Sequence, residues 1–172
     1  IGDREFVLEA GEFQLREEER AVDERRVIPH VIEPSFGVDR IIHCILEHSF
    51  RVTEAGGSEG ETYRVLSLPP DIAPIKTGVF PLVSKEPLMS TARALERDIR
   101  AEGITTYYDD KGSIGRRYAR MDEIGTPFCI TIDYDTAEDG MVTIRFRDSK
   151  DQRRVSMDDV CHTLTTLLKG GG

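Results

Sequence analysis

Apolar and polar positions along this chain repeat with two different periods, and a proline-rich stretch separates the regions where each dominates. Before that stretch, EFVLEA (5–10), EFQLRE (12–17) and RRVIPHVIEP (25–34) carry alternating or apolar character and predict short strands. FGVDRIIHCILEHSF (36–50) has a helical period instead. Ile41, Ile45 and His48 fall at i, i+4 and i+7, with Ile42 and Leu46 alongside, so a largely buried helix is expected. RVTE and TYRVLSL flank GGSEGE (56–61), which reads as a hairpin-like surface loop. Pro69, Pro70, Pro74 and Pro81 then fall within thirteen residues, and each biases its predecessor away from helix. A linker is expected near 67–74, dividing the chain into 1–68 and 69–172.

Beyond the linker, strand and helix patterns alternate. IKTGVFPLV (75–83), ITTYYDD (104–110), PFCITIDYD (127–135), MVTIRFRDS (141–149) and RRVS (153–156) predict strands. MSTARALERDIRAEG (89–103) predicts a helix with Ala92, Leu95 and Ile99 inward and Gly103 as its stop. SIGRRYARMDEIG (113–125) predicts another, ended by Gly125. Ser156-Met157-Asp158-Asp159 approximates a capping box that opens a last helix with Val160, Leu164, Leu167 and Leu168. The order implies an α/β fold, with a mixed, mostly parallel sheet flanked by helices on both faces.

Composition adds limits. With 38% hydrophobic residues among 172, the chain can bury a core, and no apolar run approaches the roughly 18–20 residues of a membrane span. IGDREFVLEAGEF lacks the pattern of a secretory signal and has no initiator Met, so a processed chain or a piece of a longer one is expected. Cys44, Cys129 and Cys161 are widely spaced, which fits inert thiols in a reducing, cytoplasmic setting, with no disulfide framework and no metal site. Net charge is −9, of which residues 1–68 hold −7, so polynucleotide binding would have to come from local patches.

Three stretches could carry chemistry. In DDKGSIGRRYARMDEIG (109–125), Ile114, Tyr118 and Met121 form an apolar stripe, while Arg116 and Arg120 stand one turn apart on the other side. Ser113 can cap that helix, and Gly112 and Gly115 let an anion approach the backbone. The same arginines could equally pair with Asp109, Asp110, Asp122 and Glu123. In MVTIRFRDSKDQRR, Val142, Ile144 and Phe146 face one way and Thr143, Arg145 and Arg147 the other. That ladder suits phosphates or unstacked bases, or a charged edge strand that blocks aggregation. In VIPHVIEPSFGVDRI, Glu33 sits in an apolar strand and is expected to be at least partly buried, where a bound ammonium or Arg40 would compensate it. Ser35 lies beside it as a possible donor. His30, His43 and His48 show no ligand geometry.

VIPHVIEPSFGVDRI resembles motif 3 of class II aminoacyl-tRNA synthetases, in the form found in archaeal and eukaryal glycyl-tRNA synthetases. DDKGSIGRRYARMDEIGTPFCITIDYDT and TIRFRDSKDQRRV resemble the anticodon-binding domain of those enzymes. The likeness runs from about residue 5 to about 168. It implies that 1–68 is the end of an antiparallel class II catalytic domain and that 69–172 is an anticodon-binding domain. It also implies ATP-dependent activation of glycine and its transfer to tRNA, by a homodimer in the cytoplasm. ATP would be a substrate accompanied by Mg2+, with no tightly bound cofactor. Arg40 corresponds to the motif 3 arginine on the ATP phosphates, and Glu33 and Ser35 to residues of the glycine pocket. Arg116, Arg117, Arg120, Arg145, Arg147 and Asp148 fall where the family meets the anticodon. Asp39 departs from the general class II pattern, in which a small residue commonly precedes the arginine, and is expected to orient Arg40. Motifs 1 and 2 have no match, so the 172 residues alone are expected to be inactive. A synthetase-like module without catalysis, such as a polymerase accessory subunit, is the alternative. A small nucleotide-binding domain using GSIG ranks below it, because G-x-G-x-x-G and the P-loop signature are both absent.

Overall fold

The structure, a computed structural model, describes residues 9, 11, 14, 16–21, 26–54 and 62–170. It divides into two compact units, residues 1–35 and 36–172. Most of the two strands expected over 5–17 lies outside the described residues. The strand expected over 25–34 does not form in its described part, 26–34, which has no regular structure. Pro29 and Pro34 remove two backbone donors there. No ladder partner is present among the described residues, and Val27, Ile28, Val31 and Ile32 are all exposed.

The second unit opens with α1 (Val38–Ser49), followed directly by β1 (Phe50–Glu54) and β2 (Thr62–Leu66). The two strands pair antiparallel from Phe50↔Leu66 to Glu54↔Thr62, as the flanks of GGSEGE suggest. The burial expected of α1 is not found. Ile41, Ile42 and Leu46 are about half exposed, since the described residues supply no layer to cover that stripe. Cys44 is exposed with it, Cys161 is half-buried, and Cys129 is buried, with a thiol that burial pushes up to about 12; all three are free.

The remaining elements match the expected alternation: β3 (Thr77–Pro81), α2 (Leu88–Ala101), β4 (Thr106–Tyr108), α3 (Ile114–Ile124), β5 (Phe128–Ile132), α4 (Thr136–Asp139), β6 (Met141–Phe146), β7 (Gln152–Ser156) and α5 (Val160–Lys169). The short α4 has no pattern of its own, and in place of the expected capping box a 3-10 turn, Met157–Asp159, precedes α5, with no capping hydrogen bond from Ser156. The five-stranded sheet runs β4-β3-β5-β6-β7. β3 is parallel to both β4 and β5, whereas the β5–β6 and β6–β7 pairs are antiparallel. Successive residues of β3 point to opposite faces. Val79 joins Leu95, Ile99, Ile130, Ile144 and Leu164 beneath α2 and α5, while Phe80 packs with Met121 and Cys129 beneath α3. Each fully buried Ile or Leu contributes roughly 2 kcal/mol. Gly103 and Gly125 end their helices with φ of +79° and +87°, which is why glycine stands at both stops.

Candidate nucleic-acid interface

In this sheet the chain leaves β3 toward β4 on one side and returns to β5 on the other. Helices carry the two connections away in opposite directions, so a crevice opens at the carboxyl ends of β3 and β5, the usual ligand position in an open parallel sheet. A cavity of about 280 Å³ lies there, lined by Lys85, Leu88, Thr91, Ile132, Tyr134 and Ala137 among others. Its walls are largely apolar, and Tyr134 and Lys85 are exposed at its edge.

The rim continues toward α3. The Ser84 hydroxyl donates to the carbonyl of Asp110, joining the loop after β3 to the loop after β4. Beneath that junction lies Arg117, 2% exposed. Its guanidinium donates to the carbonyls of Pro81, Asp110 (3.3 Å) and Gly112 (2.7 Å), while its Nε has no partner. A full positive charge is thus held under the rim by hydrogen bonds to three carbonyls, with no direct ion pair among the described residues. Position 117 lies three residues after Ile114 and four before Met121, inside the apolar stripe, and that spacing marks it as an inward residue.

The other arginines named from the sequence divide sharply. Arg116 is exposed on the first turn of α3 and forms no ion pair among the described residues, as do Lys111 beside it and Lys85. Ser113 makes no capping hydrogen bond, contrary to expectation, so the first-turn N–H groups lack a side-chain cap. Arg120 bonds Asp109 through Nε (3.1 Å) and Nη2, and also the Lys111 carbonyl (2.8 Å). Burial alone would raise the pKa of Asp109, but bonds from Arg120 and the Lys111 N–H outweigh it and hold the carboxyl below its ordinary value.

The ladder on β6 does not face solvent. Arg145 and Arg147 lie opposite Val142 and Ile144, as alternation requires, but α3 and β2 cover that face. Arg145 grips both oxygens of the fully buried Asp122 (3.0 and 2.9 Å) and stacks 4.6 Å over the Tyr118 ring. Lys150 Nζ (2.8 Å) and the Tyr63 hydroxyl also donate to Asp122. Burial would raise this carboxyl's pKa, yet the bonds from Arg145, Lys150 and Tyr63 hold it below the usual aspartate value. Arg147 donates to the carbonyls of Gly125 and Leu68, each at 2.8 Å, and to the exposed Asp148 (2.8 and 2.7 Å). These two arginines are internal cross-links. They also sit toward the amino-terminal edge of β5, because β6 runs antiparallel to it, so they do not converge with Arg116 on one open cradle.

Arg40 is exposed in the first turn of α1, where Asp39 complements the helix dipole. In the first unit Glu33 and Ser35 are exposed, and the burial expected of Glu33 is not found. The flanking apolar side chains are exposed with it, so this stretch has no core to enter.

The model of the anticodon binding domain family matches residues 72–167. The chain is 45% identical over 169 residues to the glycine–tRNA ligase of Methanocaldococcus jannaschii, covering 98% of this chain and 28% of that protein. It is 46% identical over 165 residues to that of Pyrococcus abyssi, with 96% and 28% covered. For Thermococcus kodakarensis the identity is 44% over 163 residues, with 95% and 27% covered. The chain therefore spans little more than a quarter of the length of these relatives. From the match across β3 to α5, the chain belongs to the anticodon binding domain family.

Proposed function

We propose that this chain is the part of a class II glycine–tRNA ligase that joins motif 3 to the anticodon-binding domain, and that the anticodon loop lies along the rim over β3, β4 and β5. The observation that carries the reading is the separation of the arginines into spent and free. Arg145, Arg147 and Arg120 have carboxylate partners, whereas Lys85, Lys111 and Arg116 have none among the described residues, and these three follow the rim. Buried Arg117 and the uncapped start of α3 add positive potential beneath them. The apolar cavity beside Tyr134 suits an unstacked base, since single-stranded loops are read by stacking and edge contacts while phosphates hold the register.

In this reading glycine, ATP with its Mg2+ and tRNA are substrates of the whole protein, which works as a homodimer. Arg40 holds ATP phosphates, with Glu33 and Ser35 toward the glycine ammonium. The exposed stripe of α1 and the apolar residues 27–32 are then covered by the rest of the catalytic domain, as the much greater length of the relatives supports. The residues that complete catalysis belong to that remainder.

A double charge reversal, Lys111→Glu with Arg116→Glu, tests the rim. In the full-length protein it is expected to weaken binding of the cognate tRNA by about tenfold or more and to flatten the salt dependence by about two phosphate contacts. Unchanged affinity and slope would remove the rim from the interface.

A further inference from the structure

The hairpin β1–β2 is fastened to the sheet domain by polar bonds more than by a shared apolar core. Val65 and Leu68 are buried at the junction, but neither joins the two apolar clusters of the sheet. The fastening centres on Asp122, near the end of α3. Its carboxylate takes two bonds from Arg145 on β6, one from Lys150 in the turn before β7, and one from Tyr63 on β2. Lys150 also sits 4.7 Å over the Tyr63 ring. A few residues away, Arg147 bonds the carbonyl of Leu68 at the end of the hairpin and that of Gly125 at the end of α3. Gly125 itself leaves no room there, since a Cβ would lie 2.8 Å from Leu68 Cδ1 and 3.1 Å from the Leu66 carbonyl oxygen.

α3 therefore has two working ends. Its first turn, with Arg116, belongs to the rim, and its last turn is locked to β2. β1 in turn follows α1 without a spacer, and α1 carries Arg40. We propose that the Tyr63–Asp122–Arg145–Lys150 cluster is the rigid joint that fixes the distance and angle between the rim and the Arg40 helix, which makes Tyr63 a positioning residue for tRNA charging. The inference rests on the reading of the rim as the tRNA site. A ligand held at two points of one molecule reacts according to the effective concentration that the connecting structure imposes, and a loosened joint lowers it. Glycine activation needs no such span, because it takes place wholly at the catalytic end.

Two substitutions in the full-length protein separate this role from plain stability. Tyr63→Phe removes one bond to Asp122 and keeps the ring; Tyr63→Leu removes the ring beneath Lys150 as well. The result expected is a graded fall in kcat/KM for glycylation of tRNA, about threefold for Tyr63→Phe and about tenfold or more for Tyr63→Leu, on the effective-concentration argument. Glycine-dependent ATP–pyrophosphate exchange and binding of an isolated anticodon stem-loop stay within about twofold of wild type. The proposal is overturned if charging by both variants stays at the wild-type level, or if exchange falls as far as charging does, which is the mark of general destabilisation. If wild-type protein exchanges pyrophosphate but binds no tRNA, the rim reading fails and the joint falls with it.

Discussion

Arg117 and Asp122 sit one helical turn and a residue apart on α3, both inside the protein, and they carry opposite charges without touching the same partner. A buried ion is tolerated only when its bonds replace water, and each has found a different replacement. For Arg117 it is three carbonyls; for Asp122 it is two cations and a phenol. Removing the charge from Asp122 strands Arg145, so Asp122→Asn is expected to cost about 3 kcal/mol at neutral pH, measured by urea unfolding. The sign with pH follows from its lowered pKa in the folded state. Its contribution is present in full above the unfolded aspartate value and is lost as pH falls below about 4 and through the folded value. Wild-type stability is therefore expected to fall below about pH 4 more steeply than that of Asp122→Asn, and parallel acid curves would contradict the assignment. Residue type alone marks neither as buried. Helical spacing puts 117 between Ile114 and Met121, but an arginine among apolar residues is unusual, so residue type points the other way. Asp122 needs Arg145 opposite it, and a contact across 23 residues is not visible in a local pattern.

Among the elements, the α/β alternation beyond the linker was legible because each strand and helix pattern agrees with its neighbours and ends at a glycine or a turn. Gly103 and Gly125 were readable as stops, and both take the left-handed conformation. What could not be read is the second duty of Gly125, which admits the end of β2 against α3. Gly125→Ala meets strain in φ and a collision together. It is expected to lower stability by more than about 1 kcal/mol, seen as a clear drop in the melting temperature. An unchanged melting temperature would mean that the close approach of Leu66 and Leu68 relaxes freely. α1 shows the opposite difficulty. Its apolar stripe is visible in the sequence, but a stripe states only that something covers the helix, and the described residues do not include the cover. The strand expected at 25–34 is absent from its described part for the same reason, because a strand needs a partner ladder.

At the scale of the whole molecule, an acidic chain presents a polynucleotide site only by leaving a few cations unpaired. Three of the five arginines that the resemblance assigns to the anticodon are held by carboxylates: Arg120 by Asp109, Arg145 by Asp122 and Arg147 by Asp148. The anticodon reading thus moves from the arginine ladder to the rim formed by the loops after β3, β4 and β5, where topology, cavity and unpaired charge coincide. Hydrogen exchange at backbone amides, with and without an anticodon stem-loop RNA, tests that relocation directly. Protection is expected at residues 82–87, 109–116 and 133–137, with residues 147–153 unchanged. Protection centred on 147–153, with the rim unaffected, would contradict it.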